Sequence, residues 1–338
     1  MKNKALLLTA ALAATLSAGY ASQAAEEMSA SILLSVPAES DALLSVPVNN
    51  VIVLEAEVAS VSGTDVTLTA AHDGLFGKGD VFAGEKGTYY IQVVEGAANG
   101  LWTTILTDDG TTLGVESADV AAVIAAGDKV RIYKHHTVSS ILKPEYEGLS
   151  YNDTTEVYFY VLDPSINTIN NSAVDSAVWD SSTKTWITFF GDNNERIIAP
   201  GTRVIVRNNG LTSLTLLIDG NAPDHDFAFI LPDGGDINLG AVVPAPITVG
   251  ISGLAGPGAV GDANEVYIYD NGSTGINKSG SNSALWADSV GLGNPGDYTW
   301  FDFFGDNDLM VIDFAAAFDL RVPSGSAGTV VTIPNPLF

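Results

Sequence analysis

Two segments of the chain combine aromatic and acidic side chains in nearly the same order. Residues 186–194 read WITFFGDNN, and residues 300–308 read WFDFFGDND. Carboxylate and amide oxygens that lie close together along the chain are hard ligands of the kind that calcium prefers. The sequence therefore offers candidate calcium ligands at five positions: Asp192, Asn194, Glu195, Asp306 and Asp308.

The same letters are also typical of tight turns, because Gly, Asp and Asn favour the backbone conformations that turns require. In that interpretation the pairs Phe189-Phe190 and Phe303-Phe304 each end a strand and anchor the turn in the core. The full series of acids that an EF-hand loop needs is missing. Calcium is the one cofactor that the sequence suggests.

Four tryptophans near these segments could instead bind a carbohydrate: Trp179, Trp186, Trp286 and Trp300. An aromatic face offers apolar area to the C–H face of a pyranose, while nearby Asp and Asn accept its hydroxyls. The competing interpretation is core packing. Alternation in EVYFY and EVYIY places both tyrosines of each segment on one face of a strand, as in an ordinary β module.

No catalytic residue is predicted. The chain has no cysteine nucleophile and no G-x-S-x-G motif. His135 and His136 are adjacent in a predicted strand, so their side chains point to opposite faces and do not suit one metal ion. The G-x-G-x-x-G match at residues 256–261 precedes a predicted strand, whereas a dinucleotide site requires a helix there.

The elements that must position these residues occur twice in the same order. EVYFY at residues 156–160 corresponds to EVYIY at residues 265–269, and Trp179 corresponds to Trp286. The separation between matching landmarks changes along the chain, which is how loops vary around a fixed core of strands. The sequence therefore predicts two related β modules.

Upstream of these modules the sequence predicts a hairpin and a small barrel. Residues 31–48 contain LLSVP twice around a polar turn, a pattern that predicts a β-hairpin, and residues 229–244 have a similar pattern. Residues 51–138 contain six candidate strands separated by turn residues. One helix of about three turns is predicted over residues 117–126, ended by Gly127.

The net charge, the first residues and the absence of cysteine indicate which cellular compartment and which classes of partner suit this protein. The 338 residues carry a net charge of −26, which disfavours nucleic acid and anionic membranes as partners. Lys2 and Lys4, an apolar run and Ser22-Gln23-Ala24 predict a signal peptide over residues 1–24. No later segment approaches the roughly 20 apolar residues of a membrane helix. Without cysteines, an exported chain must be stabilised by burial alone.

Several segments resemble a family of uncharacterised exported repeat proteins from aquatic Gram-negative bacteria. The resemblance rests on these segments: SVPAESDALLSVPV, VASVSGTDVTLT, YYIQVVEGAANGLW, AAGDKVRIYKHHTVSSIL and EVYFY…W…APGTRVIVR. It implies an exported β-repeat architecture and carries no catalytic residue with it. The second module departs from the pattern, because Phe318-Asp319-Leu320-Arg321 replaces the Pro-Gly-Thr that precedes the last strand of the first.

Together these patterns predict an all-β protein with an N-terminal β-hairpin and a small barrel-like unit, followed by two related β-sandwich-like modules. The predicted divisions are 1–24, 25–150, 151–220, a Gly/Pro/Asp-rich connector at 221–263 with a second possible hairpin, and 264–338. The predicted function is that of an exported, non-catalytic structural, adhesive or surface protein in the periplasm, at the cell surface or outside the cell.

The predicted partner is either a second copy, through strand addition by residues 31–48, or an extracellular polysaccharide. The alternative function is carbohydrate binding through the Trp and Tyr faces. A glycan-active hydrolase with paired carboxylates is the third hypothesis.

Overall fold

The computed structural model describes residues 28–77, 89–143, 151–162, 165, 168–255, 264–288, 298–302 and 304–337. The predicted signal peptide, the segment 256–261 and Phe303 lie outside the described residues. The described chain is nearly all β, which confirms the predicted fold class. None of its helices combines the length and apolar character needed to cross a membrane.

The chain begins with strands β1 (Ser29–Val36) and β2 (Ser40–Leu44) and then forms a barrel. The six candidate strands form a closed barrel, which confirms the predicted barrel-like unit, and they pair in the order β3-β4-β7-β6-β5-β8. Their bounds are β3 Ile52–Ser62, β4 Asp65–Leu68, β5 Tyr89–Glu95, β6 Trp102–Asp108, β7 Thr112–Val115 and β8 Lys129–Lys134.

The helix between β7 and β8 is shorter than predicted. It is a single turn, α1 (Ala118–Ala121), with Ser117 as its N-cap. The prediction of about three turns over residues 117–126 was wrong, because the chain after the first turn is drawn onto the barrel. The Gly127 N–H donates to the Val58 carbonyl at 2.8 Å, and Asp128 accepts the Ala125 N–H at 2.9 Å.

A first module is built from β1, β2 and the elements that follow the barrel. These are β9 His136–Thr137, α2 Val138–Ile141, β10 Thr155–Phe159, β11 Asp175–Asp180, β12 Thr185–Thr188, β13 Gly191–Asp192, β14 Ile197–Ile198, β15 Val204–Asn208 and β16 Leu214–Asn221. Its main sheet has the order β13-β12-β11-β10-β15-β2, and the pairs β1-β16 and β14-β9 complete the module.

A second module has the same arrangement. Its strands are β17 Phe227–Ile230, β18 Gly235–Gly240, β19 Ile247–Thr248, β20 Asn264–Ile268, β21 Asn282–Asp288, β22 Tyr298–Asp302, β23 Gly305–Asp306, β24 Val311–Ile312, β25 Ala317–Val322 and β26 Val330–Ile333. Its sheet has the order β23-β22-β21-β20-β25-β18, with the pairs β17-β26 and β19-β24. The barrel is therefore an insertion between β2 and β9 of the first module.

The pairing of the N-terminal strands corrects the predicted hairpin at residues 31–48. β1 pairs with β16 along its whole length, and β2 pairs with β15. The two arms enter different sheets because both bury apolar side chains in the core that lies between those sheets, Val36 from β1 and Leu44 from β2. In the second module β17 likewise pairs with β26 and β18 with β25, so the two strands enter different sheets. The segment 221–263, expected to be a connector, therefore contributes strands to the second module.

The two modules contact each other reciprocally through one loop each. The Asp41 N–H on β2 donates to the Gly275 carbonyl at 2.9 Å, and the Asp236 N–H on β18 donates to the Thr168 carbonyl at 2.9 Å. Asn277 in the first loop and Asn170 in the second donate their backbone N–H groups to the same two aspartates. Both asparagines have a left-handed backbone conformation, which Asn tolerates. Matching contacts in both directions are the signature of an isologous interface.

Each of these loops covers an arginine–aspartate pair, here called the arginine clamp, in which the carboxylate is buried and the arginine is partly exposed. Arg207 holds Asp41 through two hydrogen bonds of 2.7 and 3.0 Å, and the Asn277 N–H donates to the same carboxylate at 2.7 Å. Arg321 holds Asp236 at 2.7 and 3.1 Å, where the Asn170 N–H donates at 2.7 Å. Each carboxylate is therefore satisfied by both modules together.

The EVYFY and EVYIY segments supply the remaining parts of the clamps. The guanidinium of Arg207 lies 4.9 Å from the centre of the Tyr158 ring, and that of Arg321 lies 5.1 Å from the centre of the Tyr267 ring. Burial, followed by a hydrogen bond to the neighbouring glutamate, raises the pKa of each tyrosine to about 12. Both tyrosines therefore keep the proton that they donate to Glu156 and Glu265.

Removal of one clamp carboxylate should destabilise the protein strongly. Asp236→Ala leaves Arg321 without its bidentate partner and the Asn170 N–H without its acceptor, so we expect a loss of about 3 kcal/mol in the free energy of unfolding. Asp175→Ala is the matched control, because Asp175 and Arg196 are both one-third exposed and 3.5 Å apart. It should cost less than about 1 kcal/mol. Urea unfolding measures both, and equal losses would contradict the role of the clamp.

Candidate functional site

The four tryptophans nominated as sugar platforms form two cross-strand pairs. Trp179 lies directly opposite Trp186, with ring centres 5.3 Å apart, and Trp286 lies opposite Trp300 at 5.5 Å. Trp179, Trp186 and Trp300 are buried, and Trp286 is half-buried against the core of the second module. The indole of Trp186 also donates to the Leu142 carbonyl at 3.2 Å.

These contacts give the pairs a structural role. A sugar can stack on a ring only if one face is open to solvent, and the rings of Trp186 and Trp300 have almost no exposed area. Cross-strand aromatic pairs stabilise a sheet in addition to the apolar area that they bury. The tryptophans occupy the positions that core packing predicts.

The candidate calcium ligands form the turns that follow these tryptophans. The side chain of Asn194 accepts the backbone N–H of Trp186 at 3.0 Å, and the side chain of Asp308 accepts the backbone N–H of Trp300 at 2.9 Å. Asp192 accepts the Asn194 N–H at 2.7 Å, and Asp306 accepts the Asp308 N–H at 3.0 Å. Glu195 accepts the Ser139 hydroxyl at 3.4 Å. Across the described chain, no three His, Cys, Asp or Glu side chains converge on a metal-sized space.

The phenylalanines of these turns are exposed, which corrects their predicted role as core anchors. Phe189, Phe190 and Phe304 are 97, 95 and 93 % exposed. The reason is the length of the turn. Thr188 pairs with Gly191 in the first module, and Asp302 pairs with Gly305 in the second. Each pairing closes a two-residue hairpin turn, and the tip of such a turn lies beyond the core.

The outer edge of β1 is a feature that the sequence analysis did not single out. Met28, just before the strand, accepts the Ala222 N–H beyond β16, so even-numbered residues bond to β16 in this antiparallel ladder. The N–H and C=O groups of the odd-numbered residues face the other side of β1. Leu33 lies among them and is 69 % exposed.

The corresponding edge in the second module is covered by the barrel. Ala228 on β17 stands in the same place before Pro232 as Leu33 does before Pro37, and its N–H donates to the Gly100 carbonyl of the barrel at 3.0 Å. Ala228 is fully buried within the barrel core. The similarity between residues 31–48 and 229–244 indicated related segments, but it did not include Ala228 and gave no position for the barrel.

Two buried histidines at the junction of the barrel and the first module have strongly lowered pKa values. Burial, with a smaller effect of the neighbouring His136, lowers the pKa of His135 to about 3. Burial also lowers the pKa of His136 to about 4, against the opposing effect of its hydrogen bond to the Val48 carbonyl. His135 is buried and packs on Tyr90 and Trp102. These histidines are structural.

Comparison with protein-family models, with curated proteins and with solved structures finds no match for this chain. Its function must therefore be argued from its own surfaces. The outer edge of β1 is the candidate site, because it combines an exposed apolar side chain with backbone groups that have no strand partner among the described residues.

The turn role of Asp308 can be separated from a calcium role by one substitution. Asp308→Asn places in the second module the residue that the first module uses at Asn194, so it should change the free energy of unfolding by less than about 0.5 kcal/mol. Asp308→Ala removes the acceptor of the Trp300 N–H and should cost about 1–2 kcal/mol. Thermal unfolding with and without calcium measures both. A calcium-dependent rise in Tm that Asp308→Asn abolishes would contradict the turn role.

The buried histidines should make the protein sensitive to acid. The unfolded chain binds protons on His135 and His136 as the pH falls below about 6.5, whereas the folded chain does not until about pH 4 or below. Stability should therefore be lost from pH 6.5 downward, by up to about 1.4 kcal/mol per pH unit for each histidine. Urea unfolding at pH 7.0, 5.5 and 4.5 measures this. His135→Gln should reduce the loss of unfolding free energy per pH unit. An unchanged loss in this variant would contradict the role of His135 in the acid sensitivity.

Proposed function

We propose that this protein is an exported, non-catalytic structural protein that associates with further copies through the outer edge of β1. The observation that carries the proposal is the difference between Leu33, which is 69 % exposed, and its counterpart Ala228, which the barrel buries completely. The proposal places the protein at the cell surface or outside the cell, because the first residues have the pattern of a signal peptide.

The edge lacks the features by which soluble proteins prevent strand pairing. Edge strands are usually short, bulged, or interrupted by charged residues and proline. β1 is eight residues long, reads SASILLSV and pairs with β16 without a register shift. None of its eight residues carries a charge.

The order of side chains along β1 favours a second copy as the partner. The outward positions read Ser31, Leu33 and Ser35, which is symmetric about the leucine. An antiparallel copy centred on Leu33 would pair serine with serine and leucine with leucine across a two-fold axis. Burial of both leucines would contribute about 2 kcal/mol for each side chain. The strand is thus complementary to itself.

The exposed hairpin tips support an adhesive role. Phe189, Phe190 and Phe304 present large apolar side chains at matching turns of the two modules. The rings of Phe189 and Phe190 pack edge to face at 5.5 Å, so the tip is a compact apolar knob. Exposed aromatic groups of this kind usually mark contact surfaces.

The packing of the histidines supports a function without catalysis. His135, His136 and His225 are enclosed at the junctions between bodies, and the pKa of each is lowered, chiefly by burial. His72 contacts Asp108 at 2.8 Å, but that carboxylate also accepts the Phe76 and Gly110 N–H groups. The pair therefore fastens a loop to the barrel.

Association through β1 should depend on concentration and on salt. One edge strand forms a small interface, so the complex should be weak, and added salt should strengthen it by screening the net negative charge. Leu33→Lys places a charge on the self-complementary edge and should keep the protein monomeric. Sedimentation equilibrium from low to high protein concentration, at 0.05 and 0.5 M NaCl as two example salt levels, measures the mass.

The matched control is Leu211→Lys. Leu211 is also exposed, at 85 %, but lies in the turn between β15 and β16 and not on the strand edge. This variant should associate like the unchanged protein. A protein that stays monomeric at every concentration, or equal loss of association in both variants, would disprove pairing through β1.

A further inference from the structure

A cleft of about 970 Å³ lies where the barrel and the two modules meet. The barrel contributes β6 and the start of α1, the first module contributes the end of β10 and the segment around β14, and the second module contributes β17. Ligand clefts between structural bodies are commonly of this size. The association through β1 does not involve this cleft.

The inner part of the cleft is aromatic and its rim is acidic. Trp102 and Tyr160 line the interior, both half-buried. Tyr90 and His135 hold the Trp102 indole in near-perpendicular contacts at 5.8 and 6.1 Å, while the Arg203 guanidinium packs on the Tyr160 ring at 4.0 Å. The rim carries four exposed carboxylates: Glu116, Asp119, Asp192 and Glu195.

Of the two rim carboxylates that the first module contributes, Glu195 is replaced in the second module, whereas Asp192 is matched by Asp306. Asn194 and Asp308 correspond, because each accepts the N–H of its tryptophan. The next two residues are Glu195 and Arg196 in the first module, but Leu309 and Met310 in the second. The shared fold therefore tolerates an apolar residue at the position of Glu195, so the fold itself does not require a carboxylate there.

The charges of the rim limit the class of ligand. Four carboxylates repel sulfated or carboxylated chains, and Arg196, which also lines the cleft, already pairs with Asp175 at 3.5 Å. Carboxylates accept hydrogen bonds from hydroxyl groups, and fixed aromatic rings pack on the C–H faces of sugar rings. A basic peptide is also attracted by the charge, and its cations can pack on aromatic rings, so it is the competing class of ligand that the experiment must include.

We infer that this cleft binds a neutral oligosaccharide, with Trp102 and Tyr160 packing against the sugar rings and the rim carboxylates, Glu195 among them, accepting its hydroxyl groups. The sugar-binding residues are then the fifth tryptophan and a tyrosine that lines the same cleft, and not the four tryptophans of the two cross-strand pairs. The site is independent of β1, so monomeric protein binds as well as associated protein.

Calorimetry of the full chain with four neutral hexasaccharides tests the inference: cellohexaose, laminarihexaose, maltohexaose and chitohexaose. At least one should bind. Glu195→Leu should weaken that binding about tenfold through loss of a charged hydrogen-bond acceptor, and Trp102→Ala should weaken it further. Because Trp102 also packs on the second module, its variant is judged only if thermal unfolding remains cooperative, and Glu195→Leu decides the result otherwise.

The matched control places the glutamate of the first module at the corresponding leucine of the second module. Leu309→Glu adds a carboxylate at the corresponding place outside the cleft and should leave the affinity unchanged. Alginate and an oligolysine peptide are the charged probes and should bind more weakly than the best neutral sugar. The inference is overturned if no neutral hexasaccharide binds, if either charged probe binds more tightly, or if Glu195→Leu binds like the unchanged protein.

Discussion

The buried carboxylates of Asp41 and Asp236 impose the constraint on which the rest of the structure depends. A carboxylate removed from water must be fully paired, because an uncompensated buried charge is strongly destabilising. Each is held by an arginine of its own module and by a backbone N–H from the other, at Asn277 or Asn170. The two modules therefore cannot separate without leaving two charges short of partners, and their relative position is fixed by this requirement.

The barrel contacts the two modules differently, so the modules do not have equivalent surroundings. Both proposed sites result from this difference. Inserted into the first module, it packs on the second through the contact between Gly100 and Ala228. It thereby covers β17, leaves β1 with one strand neighbour in the described chain, and forms one wall of the cleft. The shared parts of the modules account for stability, whereas the differences at Leu33 and Glu195 account for the proposed interactions.

Alternation and turn residues in the sequence predicted the six strands of the barrel and the strands at EVYFY and EVYIY, but not the pairing of β1 and β2. A period of two identifies which face of a strand is buried and carries no information about the partner, and β1 finds its partner β16 almost at the far end of the module. Phe189 and Phe190 misled because aromatic residues are usually buried, whereas a two-residue turn leaves no core within their reach. The role of Trp102 could not be predicted from the sequence, because the cleft that it lines is formed by segments of the barrel and of both modules that lie far apart in the chain.

Hydrogen exchange followed by mass spectrometry tests the central claim, the locking of the modules by the arginine clamps, most directly. If the clamps lock them, amides in the loops at residues 168–171 and 275–277 exchange as slowly as those of the strands they cover, β18 and β2, despite lying in loops. Exchange of both loops at the rate of exposed chain, while β18 and β2 stay protected, would contradict the account.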